Sequence, residues 1–540
     1  MLTLPLEPTD DRANPHFKNA ASCALWLGQL QLTNLQLAHS LLLTQINELN
    51  RYPMRGLERL HTLELLRETV GYVQDDYAKK LIAKPLPLNE HESMVFVAIV
   101  QLWQALVLGY QRCLQAFIAG DKQLEKHGAL LCQRCLLYSG LEIFEHLCTG
   151  YEFDAKLWQQ LHELYAFAEE QGWQTADVTD PLNSKQSRSN CSSVYIKAML
   201  ACHVRPAELS RSQLHLLDNW LAQWCGTLTL ERSYTTSKGD APALATDLNS
   251  MRGLQPAKQI THNNSTRYLA MVPLSKLLRV KTILLQQGQT PQQIGLCEHC
   301  NSNDCIELLT FLHQSWCEDT STRFGERRAV AQHARLCYSL EGIYAHLSGK
   351  LFKQPKRGAA LDSKARKQIE TFGRELQDRP GKEQAENGFP LETWQFDNES
   401  ILGARLTREG TLGERLNRNQ LVGLRTGDAE TFMLGSVAWA NMTRTGQLQI
   451  GVRYLPGTAE TVDIRATGLN KTVSDQSVPA LLLPAIAALK IPSSLVLPRG
   501  WFQPGSVVEV MHQNSETHNA KMTLSVERGF DYERVGFTLA

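Results

Sequence analysis

The chain has 540 residues, of which 43% are hydrophobic and 20% are charged, and its 55 basic residues balance 55 acidic ones. A chain of this length predicts about two to four domains rather than a single hydrophobic core. Because no basic excess is present, the composition argues against binding to a nucleic acid polymer, although a local anion site needs only a few arginines.

The amino-terminal segment has no basic region followed by an apolar one, so we expect no secretory signal there. The most apolar stretch, Met94 to Ile118, is interrupted by glutamines and an arginine. It predicts a buried helix and no membrane insertion. The 13 cysteines are scattered and odd in number. They predict free thiols in a cytoplasmic protein.

Residues 1–225 predict an all-helical domain. The leucines from Leu25 to Leu43 fall on more than one helical face and predict one helix buried on several sides. Later helices are predicted at Leu57–Asp76, Ser93–Ala119, Asp121–Gly150, Ala155–Gln171 and Ser193–Cys202. Stacked helical hairpins favour a docking surface for another protein. The alternative is a plain helical bundle that only stabilises the chain.

Residues 226–318 predict a mixed connecting region with helices at Ser275–Gln287 and Ile306–Cys317. Here Cys297-Glu298-His299-Cys300 is followed by Cys305 and Cys317. One CxxC pair without a second well-spaced pair is weak evidence for zinc. We therefore predict no metal site from the sequence.

Residues 319–470 predict a small antiparallel β-barrel, and residues 471–540 predict a β-rich extension. Ala331–Tyr344 predicts one or two strands. The polar segment 349–388 predicts an insertion with a short helix near Ser363–Gln377. The later strands are predicted at Trp394–Asp397, Gly403–Thr407, Gln420–Leu424, Phe432–Ala440, Gln447–Leu455 and Thr461–Ala466. The predicted fold class is therefore α+β multidomain, with a helical amino-terminal half and a carboxyl-terminal antiparallel barrel.

Two short motifs in the carboxyl-terminal half offer groups that bind anions. The sequence RFGERR at residues 323–328 supplies permanently charged guanidinium groups, and NESILG at residues 398–403 supplies small polar side chains and a glycine. A guanidinium donates paired hydrogen bonds to phosphate or to the O6/N7 edge of guanine. A glycine permits close backbone approach or a positive φ. The candidate ligand-binding residues are Arg323, Arg327, Arg328, Asn398, Ser400 and Gly403.

Each motif also has a structural interpretation. Arg323 and Arg327 could form surface ion pairs with neighbouring acidic residues, and the RxxxR spacing recurs in the helical region at Arg51, Arg55 and Arg59. Asn398 and Ser400 could belong to an ordinary turn in which they satisfy local backbone groups. The order of the motifs and their β-rich context favour the ligand site.

The pattern RxxxRxxV followed by NxSxxGxxL, completed by Val330 and Leu406, resembles the motifs of the PilZ domain family of small bacterial β-barrels. The resemblance covers about residues 320–540 and implies a PilZ-like barrel that binds cyclic di-GMP, with no cofactor. It implies a receptor or effector that couples this ligand to a protein partner, with an output in motility, pilus function or biofilm formation. The family's two motifs usually lie closer together, so the polar insertion must loop out.

Two alternatives remain open at this point. One is a PilZ-like adaptor that binds no nucleotide and acts only through protein contacts. The other is a metal-dependent enzyme built on the cysteine cluster. The sequence contains no phosphate-binding GxxxxGK[ST] loop, no GxSxG and no HExxH, so we predict that the protein is not an enzyme.

Overall fold

The computed structural model describes residues 2, 4, 6–182, 188–235, 237, 239–297, 300–318, 328–354, 388–410, 412–427, 429, 431–467, 477–514 and 516–540, with side chains throughout except at 188 and 328–331. The chain forms two compact units. One comprises Met1–Lys84 and Leu88–Arg323, and the other comprises Pro85–Pro87 and Phe324–Ala540. The first is mainly helical and the second mainly β.

The first unit is built mainly from α-helices. Its helices in the described part of the chain are α1 (Ala20–Gln29), α2 (Leu35–Arg51), α3 (Gly56–Ala78), α4 (Glu90–Ile118), α5 (Gly128–Thr149), α6 (Lys156–Glu170), α7 (Cys191–His203), α8 (Arg211–Trp224), α9 (Val272–Gln286) and α10 (Ser302–Cys317). A two-stranded ladder pairs β1 (Val178–Thr179) with β2 (Arg188–Ser189). A small sheet has the order β3-β6-β4-β5, with strands β3 (Leu230–Glu231), β4 (Leu244–Asp247), β5 (Gln255–Pro256) and β6 (Thr266–Leu269).

Helix α4 is the apolar helix that the sequence predicts to be buried. It starts with a capping box, in which the Asn89 side chain accepts from the Glu92 N–H at 2.9 Å and Glu92 accepts from the Asn89 N–H at 3.0 Å. Within the described ranges it is the one helix whose length and composition would suffice for a membrane span, and 56% of its apolar window is buried. It packs against α2, α3 and α5, as the core helix of a helical domain does.

The prediction of one helix through Leu25 to Leu43 is wrong. The chain leaves the helical conformation after α1 and starts again at α2, where the Asn34 side chain accepts a hydrogen bond from the Leu37 N–H at 3.2 Å. An asparagine cap of this kind starts a helix whatever the spacing of the leucines around it. Leu25 is 73% exposed, so it does not belong to a buried face.

The cysteines differ from the prediction in one respect. Cys297 and Cys300 form a disulfide, so the prediction of free thiols is wrong for this pair. The other eleven are free, and most of them are buried.

In its described residues, the second unit forms two closed barrels of six strands each. The first has the order β10-β11-β12-β9-β8-β7. Its strands are β7 (Arg328–Tyr338), β8 (Glu392–Ser400), β9 (Gly403–Glu409), β10 (Leu421–Thr426), β11 (Met433–Met442) and β12 (Gln447–Tyr454), and helix α11 (Leu340–Ser348) follows β7. The second has the order β13-β14-β15-β18-β17-β16. Its strands are β13 (Glu460–Ala466), β14 (Ser477–Leu483), β15 (Ser494–Pro498), β16 (Val507–His512), β17 (Thr517–Arg528) and β18 (Tyr532–Leu539).

Two parts of this unit differ from the sequence prediction. The segment after Tyr338 forms α11 instead of a second strand, because the Ser339 side chain accepts a hydrogen bond from the Gly342 N–H at 3.1 Å and starts a helix. Strand β13, which the prediction groups with the first barrel, pairs with β14 and β16 in the second. Most of the predicted insertion, including its short helix, lies outside the described residues.

The two barrels share an apolar core around α11. Buried side chains from both barrels meet those of the helix in one cluster: Cys337, Leu340, Ile343, Leu421, Phe432, Leu434, Leu455, Ala459, Leu481, Leu483, Val496 and Tyr532. Each large apolar side chain that is buried in this way contributes about 1.5–3 kcal/mol to stability. The shared core therefore joins the barrels into one unit.

Candidate functional site

The NxSxxG motif forms the β8–β9 hairpin at one end of the first barrel. Ser400 pairs with Gly403 across the hairpin, and the Ser400 hydroxyl donates to the Gly403 carbonyl oxygen at 3.2 Å. The two loop residues, Ile401 and Leu402, are 88% and 61% exposed. The Ser400 hydroxyl therefore satisfies a backbone group of its own turn, as the structural interpretation predicts. The exposed side of the hairpin remains accessible to a ligand.

Gly403 is needed for close approach of two strands. Its φ is not positive, so the glycine is not required by the backbone conformation. A Cβ atom placed on it would lie 2.1 Å from the Val452 carbonyl oxygen on β12. No side chain fits at that distance, because the contact is with backbone that cannot rotate away. The glycine therefore permits tight pairing of β9 with β12 beside the hairpin.

A β-bulge turns Asn398 to the outside of the barrel. Trp394 and Phe396 on β8 are fully buried, and the pairing with β9 is irregular between Phe396 and Asn398. After the bulge Asn398 pairs with Arg405, whose side chain is 37% exposed. Residues directly opposite each other share one face of a sheet, so the bulge re-aims Asn398 from the core to the surface.

A row of directly opposed residues runs around this outer face. Trp439 on β11 pairs with Gly451 on β12, Gly451 with Arg405 on β9, Arg405 with Asn398 on β8, and Asn398 with Ala329 on β7. The Trp439 indole lies on Gly451, since a Cβ there would meet its Nε1 at 2.0 Å. The row therefore places an aromatic ring, a guanidinium and an amide on one surface.

A second row lies nearer the hairpin. Ser436 pairs with Arg453, Arg453 with Gly403, and Gly403 with Ser400. The Arg453 side chain is 55% exposed, and its Nη2 lies 2.5 Å from a Glu527 carboxylate oxygen on β17. This face therefore includes a second exposed guanidinium, and it is linked to the second barrel through Glu527.

The charges on this face are partly compensated. The Arg405 Nε lies 3.4 Å from an Asp397 oxygen, and its Nη2 donates to Gln449 at 2.7 Å. At the neighbouring strand positions, which face the other side of the sheet, Tyr454 donates its hydroxyl to Glu399 at 2.8 Å. Burial, and then this bond, raise the pKa of Tyr454 above its ordinary range, so the hydroxyl stays protonated as a donor at neutral pH.

The arginine motif can be followed only from its last residue. Arg323 and Arg327 lie outside the described residues, as does the side chain of Arg328. The backbone of Arg328 begins β7 and pairs with Glu399, and Ala329 pairs with Asn398. The chain directly after Arg327 therefore lies beside the Asn-Ser-Gly hairpin, although the insertion separates the two motifs in sequence. The placement of the guanidinium groups of Arg323, Arg327 and Arg328 remains a prediction.

Sequence reasoning missed three side chains of this face, Arg405, Arg453 and Trp439. One signal was available, because Arg405 follows Gly403 by two residues and strand alternation places both on one face. The positions of Arg453 and Trp439 depend on which strands pair, and on an irregularity between Val437 and Trp439. A single sequence does not specify these features.

Comparison with known proteins adds evidence from outside the first barrel. Residues 21–235 match the family described as the N-terminal domain of the cyclic-di-GMP receptor FimW, and residues 463–540 match the family described as the FimW C-terminal beta-barrel domain. The first match covers helices α2 to α8 and most of α1, and the second covers most of the second barrel.

A curated relative spans nearly the whole chain. It is the protein named cyclic-di-GMP receptor FimW from Pseudomonas aeruginosa, and it is 23% identical over 93% of this chain and 88% of its own length. Both family matches are to domains of the same kind of receptor. The chain is therefore similar to FimW along its length, and two parts of it match the two FimW domain families.

Proposed function

We propose that the protein is a cyclic di-GMP receptor and not an enzyme, and that its first barrel is a PilZ-like domain that binds the ligand on its outer face. The observation that carries the proposal is the pairing of Arg328 and Ala329 with Glu399 and Asn398. This pairing brings the chain that follows the arginine motif to the hairpin motif. The relative's name supports the choice of ligand.

The proposed contacts follow from the chemistry of the ligand, which carries two phosphates and two guanines. Arg323 and Arg327, with Arg328 beside them, would bind phosphate or the guanine O6/N7 edge through paired hydrogen bonds. Asn398 and Ser400 would bind from the barrel side. The Trp439 indole offers a surface on which a base can stack.

The proposal assigns different roles to the two units. Ligand binding at the first barrel would favour one arrangement of the arginine segment over others, and the helical unit would bind a protein partner. We place the protein in the cytoplasm, with an output in motility, pilus function or biofilm control. The functional boundaries at about 225 and 318 belong to this proposal, whereas the boundary between the two barrels lies before β13 and not at about 470.

The second candidate function is an adaptor that binds no nucleotide and acts only through protein contacts. The charge compensation on the barrel face favours it, because Arg405 and Arg453 already have carboxylate partners in Asp397 and Glu527. In that case the arginine motif would also be neutralised by acidic neighbours.

Isothermal titration calorimetry of the full chain with cyclic di-GMP separates the two functions. Loss of one charge-assisted hydrogen bond costs about 1.5–3 kcal/mol, so Arg327→Ala should weaken binding by about ten- to a hundredfold. The matched control is Arg55→Ala. This exposed arginine belongs to an RxxxR pattern in the helical unit and makes no side-chain cap hydrogen bond to α3. Absence of binding by the natural chain would overturn the receptor function and leave the adaptor.

A further inference from the structure

Three cysteine sulfurs converge at the start of α10 in the helical unit. The Sγ atoms of Cys297, Cys300 and Cys305 all lie within 4.8 Å of one another. Cys297 and Cys300 are half-buried and disulfide-bonded, and Cys305 is buried in the first turns of α10. The proposed ligand site does not use this cluster.

The surrounding fold holds the cluster in place from both sides. The Leu296 carbonyl oxygen accepts a hydrogen bond from the buried Trp220 indole at 2.9 Å, which fixes the chain directly before Cys297. On the other side, Asn301 caps α10 by accepting from the Asn303 N–H at 3.0 Å. The Cys305 N–H donates to the Asn301 carbonyl oxygen at 3.1 Å. The approach of Cys305 to the other two sulfurs is therefore set by the helix start and not by a covalent bond.

We propose that Cys297, Cys300 and Cys305 form, in the reduced chain, a thiolate site for a zinc-type divalent cation. Zinc–sulfur bonds of about 2.3 Å in a tetrahedral site place the sulfurs about 3.8 Å apart, within the spacing of this cluster. Three thiolates leave one tetrahedral position for a further donor. The site would stabilise the connection between α9 and α10. Its role would be structural, with no reaction at the metal.

Formation of the site from the disulfide form requires reduction. Two molecules of a thiol reductant supply two electrons and two protons to the Cys297–Cys300 bond, and they become one disulfide themselves. Metal binding then displaces one proton from each of the three thiols. The disulfide and the metal site are thus alternative states of the same cysteines.

Cys305 distinguishes this proposal from a simple redox pair. A CxxC disulfide needs only two sulfurs, whereas a stable zinc site needs more than two protein ligands. The sequence predicts no metal site, because Cys305 follows Cys300 at an irregular spacing. The helical turn that brings Cys305 back toward the pair supplies the missing ligand. Cys317 at the end of α10 is buried, free and outside the cluster.

The test is the metal content of the full chain, produced with added zinc and purified anaerobically with a phosphine reductant. Inductively coupled plasma mass spectrometry should find about one zinc per chain in the natural protein and in Cys317→Ala. In Cys305→Ala the content should fall by about tenfold or more. Equal zinc in Cys305→Ala and the natural protein, or no zinc in the natural protein, would overturn the proposal.

A second measurement needs no variant and so does not depend on whether Cys305→Ala folds. Titration of the reduced natural chain with Co²⁺ should produce the thiolate-to-cobalt charge-transfer absorption of a tetrahedral sulfur site, and added Zn²⁺ should abolish it. Alkylation and peptide mass mapping should then show Cys297, Cys300 and Cys305 protected together by the metal. No absorption, or protection that excludes Cys305, would contradict the site.

Discussion

The substitution Gly403→Ala tests whether close pairing of β9 with β12 builds the candidate site. The new Cβ would lie 2.1 Å from the Val452 carbonyl oxygen and 3.2 Å from the Arg453 Cα. Both atoms are backbone, so the strands must separate, and overpacking of this kind costs about 1–3 kcal/mol. The strain would act on the hairpin at the Ser400–Gly403 pair and at the bond from the Tyr454 N–H to the Leu402 carbonyl oxygen.

Hydrogen exchange followed by mass spectrometry measures this cost where it occurs. If exchange proceeds by local opening, a loss of about 1–3 kcal/mol should speed exchange in peptides from β9 and β12 by about 5- to 150-fold. Calorimetry on the same variant should show weaker cyclic di-GMP binding, because Ser400 and Asn398 lie on the strand paired with β9.

The control for this prediction is Gly427→Ala in the same barrel. A Cβ at Gly427 would meet no atom within 4 Å, and its φ is not positive. Exchange and binding in that variant should match those of the natural chain. If Gly403→Ala exchanged at the natural rate, the steric argument for this glycine would be refuted. If it exchanged faster but bound the ligand normally, the hairpin would not belong to the site.

Two further predictions concern the barrel face and the helical unit. Trp439→Ala should weaken cyclic di-GMP binding in calorimetry by about 5- to 150-fold, since stacking on an aromatic side chain contributes about 1–3 kcal/mol per base. The control is Trp26→Ala, which changes a half-buried tryptophan of the helical unit and should leave the affinity unchanged. Equal affinities of Trp439→Ala and the natural chain would exclude stacking on Trp439. Burial raises the pKa of Glu142 from 4.5 to about 7, although a bond from Gln104 opposes the shift, so its stabilising contribution is complete below about pH 4.5 and is lost as the pH rises through about 7. The free energy of unfolding in urea should therefore differ less between pH 5 and pH 8 in Glu142→Gln than in the natural chain. The control Glu163→Gln, which changes an exposed carboxylate, should behave as the natural chain does. An unchanged pH difference in Glu142→Gln would show that Glu142 is not its source.

The sequence predicted the parts of the fold that local patterns determine. The apolar helix α4 was predicted correctly, since Glu90–Ile118 forms one continuous helix. The carboxyl-terminal antiparallel β structure was also predicted correctly. The leucine spacing predicted one helix through Leu25 to Leu43, whereas the chain forms two helices and the cap at Asn34 starts the second. The fold class therefore follows from local sequence patterns, whereas exact element boundaries depend on single capping residues.

The candidate site was only partly predictable for a different reason. Its motif residues follow one another in the chain, so the sequence identifies Asn398, Ser400 and Gly403 directly. Arg453 and Trp439 join them only through strand pairing and bulges, which depend on the whole barrel. The same limit applies to Cys305, which reaches the CxxC pair only after α10 has formed. Contacts between residues far apart in the chain are thus what a single sequence does not reveal.

We propose that cyclic di-GMP binds between the arginine segment and the outer face of the first barrel. An experimental structure of the full chain with bound cyclic di-GMP would locate the ligand. We expect ligand density in contact with the Asn398–Gly403 hairpin, with Arg323 or Arg327 on the opposite side of the ligand. Density elsewhere on the molecule, with that hairpin free of ligand, would refute the proposed site.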